Sequence, residues 1–265
     1  MRAGAVSISL LIGGLVFSLS GCVSLQVIPP KERLSQIRSI EVVAIEPPPL
    51  TVTGDYFQSG GLSLLSGASG PGGGGLGLLY GIVILVKLPE ELHTAKTRSE
   101  SYQEILAKGE AWIPTEILAK RATDRLNGQG GCETRLRPGV RMLPGIVDRR
   151  TTALMENWYA PLRAWYNADA REAAPGEEGA KPDAFLEIGI INYELMWTDL
   201  LLQVTTKLVD GKTGKVIGRT RNYDYVNVGD PKRVFADNAA VFKDKFSGMG
   251  FVLIEKCLKE MHLVR

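Results

Sequence analysis

Apolar and polar positions alternate most cleanly in the last third of the chain. Between Leu200 and Val209, Leu202, Val204, Thr206 and Leu208 fall on one side and Gln203, Thr205 and Lys207 on the other, the two-residue period of a strand with one buried and one wet face. Ala184 to Leu195 reads as the strand before it. Asp210, Gly211, Lys212, Thr213 and Gly214 supply a turn, and Val216 to Val226 returns with Ile217, Tyr223 and Tyr225, so the pattern predicts a hairpin. Asp230 before Pro231 then marks a helix start, a capping side chain ahead of a proline at the first helical position. Phe235, Phe242, Phe246, Met249, Leu253 and Cys257 follow at helical spacing. They predict a long amphipathic closing helix across the sheet, with Gly248 and Gly250 as positions for a kink.

Upstream, the β-favouring residues Ile40, Val42 and Val43 predict a strand over Ser39 to Ile45, near the middle of a sheet and stopped by Pro47, Pro48 and Pro49. A helix from Pro114 to about Leu126 presents Ile117, Leu118, Ala122 and Leu126 on one face and ends at Asn127, Gly128, Gly130 and Gly131. Cys132 to Leu136 reads as a short strand and Pro138 to Gly145 as a loop. Thr151 to Ala168 is an aromatic helix bent at Pro161, whose stripe of Trp158, Leu162, Trp165 and Tyr166 reads as core or domain contact before ligand box. Residues 169–182 read as a surface loop. The sum is an α/β domain: a mixed sheet of about four to five strands with a C-terminal hairpin, helices packed on it, and one insertion.

That insertion, 52–110, departs from the needs of a compact domain. No charge occurs from Tyr56 to Val86, and ten glycines fall between Gly60 and Gly81. Its apolar half, Leu76 to Leu88, would reach roughly 20 Å as a helix, short of the roughly 30 Å hydrocarbon core. For the glycine-rich apolar segment 56–88 three readings stay open: a loop and buried helix, a membrane-dipping or oligomer-lining segment, or a poorly ordered insertion. A polar helix candidate, Glu90 to Lys108, follows.

The opposite end carries a targeting pattern. Met1 and Arg2 precede an uncharged run from Ala3 through Phe17, the basic head and apolar stretch of a secretory signal. It finishes in Leu19, Ser20, Gly21 and Cys22, which resembles the lipobox of bacterial lipoproteins. The resemblance implies cleavage between Gly21 and Cys22, diacylglycerol and a further acyl chain such as palmitate on the cysteine, and, with Val23 and Ser24 next, delivery to the periplasmic face of the outer membrane, the inner membrane being the alternative. Two or three acyl chains, each methylene contributing about 0.8 kcal/mol, make such an anchor effectively permanent. The expected division is 1–21 signal peptide, 22–37 lipidated tether with Pro29 and Pro30, and 38–265 a single α/β domain.

Removal of residues 1–21 leaves 244 residues of 265, enough for a core without a disulfide framework. With Cys22 lipidated, Cys132 and Cys257 remain as a candidate disulfide or as two separate thiols. Net charge is only +2 and no basic run tracks phosphates, which argues against nucleic acid as a partner. Catalytic signatures do not assemble. His93 and His262 lack ligand-spaced neighbours and read as surface residues. Neither the glycine run nor Gly211, Lys212 and Thr213 forms a phosphate loop, and no serine sits in G-x-S-x-G. Asp183, Glu187 and Glu194 are the one imaginable acid group, yet Glu187 and Glu194, seven apart, would point to opposite faces of a regular strand. They read as solvated, no cofactor or metal is implied, and only a pocket around Glu187, Glu194 or Asp199 would revive an enzyme.

Ile40 to Ile45, Pro114 to Leu126, "PDAFLEIG" at Pro182 to Gly189 and "LQVTTKLVDGKTGKVIG" at Leu202 to Gly218 resemble the periplasmic α/β lipoproteins that include the curli-secretion channel subunit and the activators of penicillin-binding proteins. The resemblance covers roughly half of the mature chain, and its motifs describe strands and a turn, so it speaks to fold more than to activity. It implies a non-catalytic, membrane-anchored protein-binding or assembly factor in envelope biogenesis or secretion, its partner another envelope protein or itself. The alternative is a ring or pore subunit that inserts residues 56–88 in the membrane.

Overall fold

The computed structural model describes residues 26–53, 97–108, 112–147, 149, 155–171 and 181–265. The signal peptide, Leu19, Ser20, Gly21, Cys22, segment 56–88 and His93 lie outside the described residues. In chain order the elements are α1 (Lys31–Leu34), β1 (Ser39–Ile45), β2 (Thr51–Thr53), α2 (97–107), α3 (Pro114–Asn127), β3 (Glu133–Arg141), α4 (Met155–Asn167), β4 (Ala184–Met196), β5 (Asp199–Asp210), β6 (Val216–Asn227), α5 (Pro231–Val234) and α6 (Ala236–Glu260).

One mixed sheet of six strands runs in the order β3-β1-β4-β5-β6, with β2 beside the far end of β4. β1 lies parallel to both β3 and β4, while β4, β5 and β6 form an antiparallel meander. The sixth strand arises from the proline triplet. β1 pairs with β4 as far as Ala44 opposite Ile188, and the chain rejoins it as β2 with Thr51 opposite Glu194. Prolines have no N–H to give the ladder, so one potential strand becomes two. β3 outruns its predicted end at Leu136 and passes Pro138 and Gly139, reaching Arg141 through an irregularity in its pairing. Pro138 falls within that irregularity on an edge strand, the places where a sheet admits proline.

The larger core covers one face, where Ile40, Val42, Leu186, Ile188, Leu202 and Val204 meet Leu118 and Ala122 of α3 and Phe242, Phe246 and Leu253 of α6. The smaller core covers part of the other face, where Val43, Ile45, Phe185 and Val209 meet Trp158, Leu162, Trp165 and Tyr166 of α4. The aromatic stripe is therefore buried, as its spacing predicts. β5 does not keep a wet face along its whole length, because α4 covers Thr205 and Lys207.

Two further expectations change. The closing helix is not kinked at Gly248 or Gly250, through which α6 runs unbroken. Its irregularity lies at Asp237, Asn238 and Ala239, all with positive φ, just after the short turn capped by Asp230, whose carboxylate accepts the Lys232 N–H. Gly250 instead permits close helix packing: a Cβ there would stand 2.5 Å from Leu118 Cδ2. Secondly, residues 27–37 are not a free spacer. Val27 exchanges two backbone hydrogen bonds with Arg219 of β6, Pro29 is buried against Gly218, and Arg33 pairs with Asp210 at 2.9 Å. Only residues 23–25 separate Cys22 from the first described residue, Gln26.

Candidate functional site

The most chemically loaded cluster lies beneath α4, on the first half of β4. There Phe185, Glu187 and Gly189 project to the face that α4 covers. Gly189 makes room for the helix, since a Cβ at this position would stand 2.6 Å from Trp165 Cζ3. The Glu187 carboxylate, fully buried, accepts hydrogen bonds from Trp165 Nε1 at 2.8 Å, Arg171 Nε at 2.8 Å and Arg141 Nη1. Lys207 Nζ stands 3.9 Å away and donates to the Trp165 carbonyl at 2.7 Å. Burial pushes the Lys207 ammonium down to about 8, partly opposed by the charge of Glu187. Arg171 also lies over the Phe185 ring, 3.9 Å from its centroid.

Arg219 completes the set from β6. Its Nη1 donates to the carbonyls of Tyr166 and Asn167 at 3.2 and 2.9 Å, and its Nη2 pairs with Asp169. A cation thus meets carbonyls left unpaired at the end of α4, and the helix dipole favours it there. A cavity of about 140 Å³ adjoins the cluster, lined by Arg141, Arg171, Lys207, Trp165, Pro144 and Pro161 among others. It is smaller than the roughly 300–1,000 Å³ of typical ligand pockets. The three donors on Glu187 occupy most of the acceptor sites of its carboxylate. The arrangement fastens α4 to the sheet.

Glu187 is thus buried rather than solvated. The error has a local cause: Ala184 to Ile191 is otherwise uncharged, and a lone carboxylate in such a run is itself the signal of buried cationic partners. Glu194 also differs from expectation. A bulge between Ile190 and Asn192 reverses the alternation, so Tyr193 and Leu195 join the core of Ile188 and Ile190, and Glu194 shares the face of Glu187. The two remain about 20 Å apart along the strand and form no acid pair. Asp183 is structural: its Oδ2 accepts the N–H groups of Arg38 and Ser39 at 2.9 and 3.1 Å, clamping the start of β1, and these bonds hold its carboxyl below the usual range. Asp199 accepts from Asn227 at 2.8 Å, and His262 is exposed.

Cys132 and Cys257 carry free thiols. Cys132 precedes β3 at one edge of the sheet, while Cys257 on α6 meets Asn222 of β6 at the other. Four strand spacings, about 19 Å, lie between those edges, far beyond disulfide reach. Burial pushes the Cys257 thiol up, with hydrogen bonds from Asn222 working against it.

Among the described residues the sheet is bordered by β3 and by β6, on which Val27 pairs at Arg219. β3 offers a charged edge with Glu133 and Arg135 exposed. β6 offers an aromatic one: beyond the cover of α4, Tyr223 and Tyr225 are 61% and 62% exposed with ring centroids 6.4 Å apart. Trp197, 53% exposed, lies in the neighbouring β4–β5 turn, whose Thr198 hydroxyl accepts from Asn227 at the end of β6. Among the described residues no group of three His, Cys, Asp or Glu side chains could hold a metal, and no helix is long and apolar enough to cross a membrane.

Fold and site together define a mixed α/β domain, a single sheet between two helical layers, with a buried ion cluster and an aromatic edge. No family model matches the chain, and no curated protein matches it. Among solved structures it is similar to the PelC dodecamer of Paraburkholderia phytofirmans, at 11% identity over 91% of this chain and 96% of that one, TM-score 0.37. A Xanthomonas campestris protein, XCC0632, aligns at 11% identity over 90% and 94%, TM-score 0.37. The lipoprotein GNA1162 of Neisseria meningitidis aligns at 12% identity over 80% and 99%, TM-score 0.25. At these scores the likenesses carry no argument, and the fold stands on its own topology.

Proposed function

We propose that this chain is a lipid-anchored envelope protein of the outer membrane's periplasmic face, held through Cys22 and acting without catalysis as a binding or assembly factor for another envelope protein or for copies of itself. The observation that carries this reading is the position of the domain relative to the lipobox. The described residues begin at Gln26 and their first bridge, Val27–Arg219, lies five residues beyond Cys22, so a cut between Gly21 and Cys22 leaves every described residue in the chain. The finer likeness to curli-channel subunits and penicillin-binding-protein activators belongs to the same reading and rests on the strand and turn motifs alone.

A second reading, a ring or pore subunit using residues 56–88, draws on one observation. Thr53, the last described residue before the insertion, stands opposite Met196, beside the β4–β5 turn, at the end of the sheet toward which the chain points at Gln26. Replacing residues 56–86 by a short polar linker abolishes detergent-stable rings if the insertion joins subunits, and leaves a folded monomer if it does not; size-exclusion chromatography with light scattering reads the difference. For the leading reading the test is Cys22→Ser. The expected outcome is loss of the diacylglyceryl mass and of the membrane-pelleted fraction. Unchanged mass and fractionation sink it.

A further inference from the structure

Resting on the lipid anchor proposed above, we infer that the β6 edge, with Tyr223, Tyr225 and the adjacent Trp197, is a membrane-contact surface that lies against the bilayer's headgroup region. The argument is one of reach and direction. Val27 pairs antiparallel with Arg219, so at Gln26 the chain points along β6 in the direction of Asn227. The Gln26 side chain agrees: its Nε2 donates to Glu260 Oε2 at 3.1 Å, the same oxygen that accepts from Asn222 Nδ2 at 3.0 Å. Five residues extend at most about 17 Å, which is also about the rise of five residues of strand. The lipidated sulfur can therefore travel no farther along the edge than the level of Tyr223 to Asp224, which keeps the bilayer within that distance of Val27.

The side chains waiting there suit a lipid–water interface. Tyrosine and tryptophan combine an apolar ring with a polar group and concentrate at the headgroup level of membranes. Across the edge, α6 contributes Val252, 52% exposed, and Lys256, whose ammonium stands 3.8 Å from Asp224. A long lysine can bury its stem and keep its charge among the headgroups. Lys256 and Asp224 offset one another, so the contact draws on aromatic and apolar burial rather than on attraction to anionic lipid. The charged β3 edge lies four strand spacings away and cannot face the same surface while the lipid holds.

The test uses the full chain in intact cells, with Tyr223, Tyr225 or, as control, Arg135 replaced by photoreactive benzoylphenylalanine. All three sites are exposed, and circular dichroism checks that each variant folds. After irradiation, intact-mass spectrometry is expected to show phospholipid adducts at 223 and 225 and none at 135. Crosslinks at 223 and 225 to a protein or to a second copy, or equal lipid capture at all three positions, overturn the inference while leaving the anchor standing. Absence of the diacylglyceryl mass on Cys22 in the same spectra overturns the anchor and the inference together.

Discussion

Glu187 answers to four partners at once, and removing it leaves Arg141, Arg171 and Lys207 facing one another without a carboxylate. Breaking a buried ion pair from one side costs about 3–5 kcal/mol, so Glu187→Ala should lower the unfolding free energy by about that amount in urea titrations. Lys207 predicts a pH dependence. Its folded value, about 8, lies below its ordinary 10.5, so between those values the unfolded chain binds the proton more strongly and stability rises with pH. Cys257 and Tyr193, both pushed up by burial, act in the opposite sense once their ordinary values of 9.0 and 10.0 are approached. The Lys207 contribution should therefore stand out from about pH 8 to 9: wild type gains on Lys207→Met as pH rises through that window, in denaturation curves taken at half-unit steps. A difference that stays flat would show that the ammonium is not held down.

At the level of elements, periodic signals were legible and long-range ones were not. The hairpin β5–β6 and helix α3 lie within a residue or two of their predicted limits, because alternation, turn residues and Pro114 are local properties of the chain. The docking of residues 27–37 was not legible. It depends on two backbone hydrogen bonds and one buried proline, and neither leaves an apolar period to read. Likewise the bulge in β4, which turns Glu194 to the face of Glu187, has no composition of its own in an otherwise β-favouring run. Gly248 and Gly250 show how two identical residues in one helix divide. No atom lies within 4 Å of a Cβ built at Gly248, so Gly248→Ala should stabilise by about 0.5–1 kcal/mol through helix propensity. The same change at Gly250 drives a methyl into Leu118 and should cost about 1–3 kcal/mol, the two separating in thermal melts.

For the whole molecule, the quantity on which the proposed anchor turns is the distance between Cys22 and the domain. Inserting about 20 glycine and serine residues before Gln26 gives a coil of roughly 25 Å end to end. Lipid adducts at positions 223 and 225 should then fall toward the level of position 135, with the mass on Cys22 unchanged. If they persist at full strength, the aromatic edge seeks the bilayer without help from its leash. The bridge between Val27 and Arg219 also governs how such a protein meets others. With the proposed lipid on Cys22, a domain fastened this near its anchor would not swing out across an aqueous gap to fetch a distant partner; it would glide in a plane at nearly fixed height and present the same side to all comers. Encounter would become a two-dimensional search, and whatever binds it would have to arrive at that height, either travelling in the same leaflet or reaching down from the opposite wall.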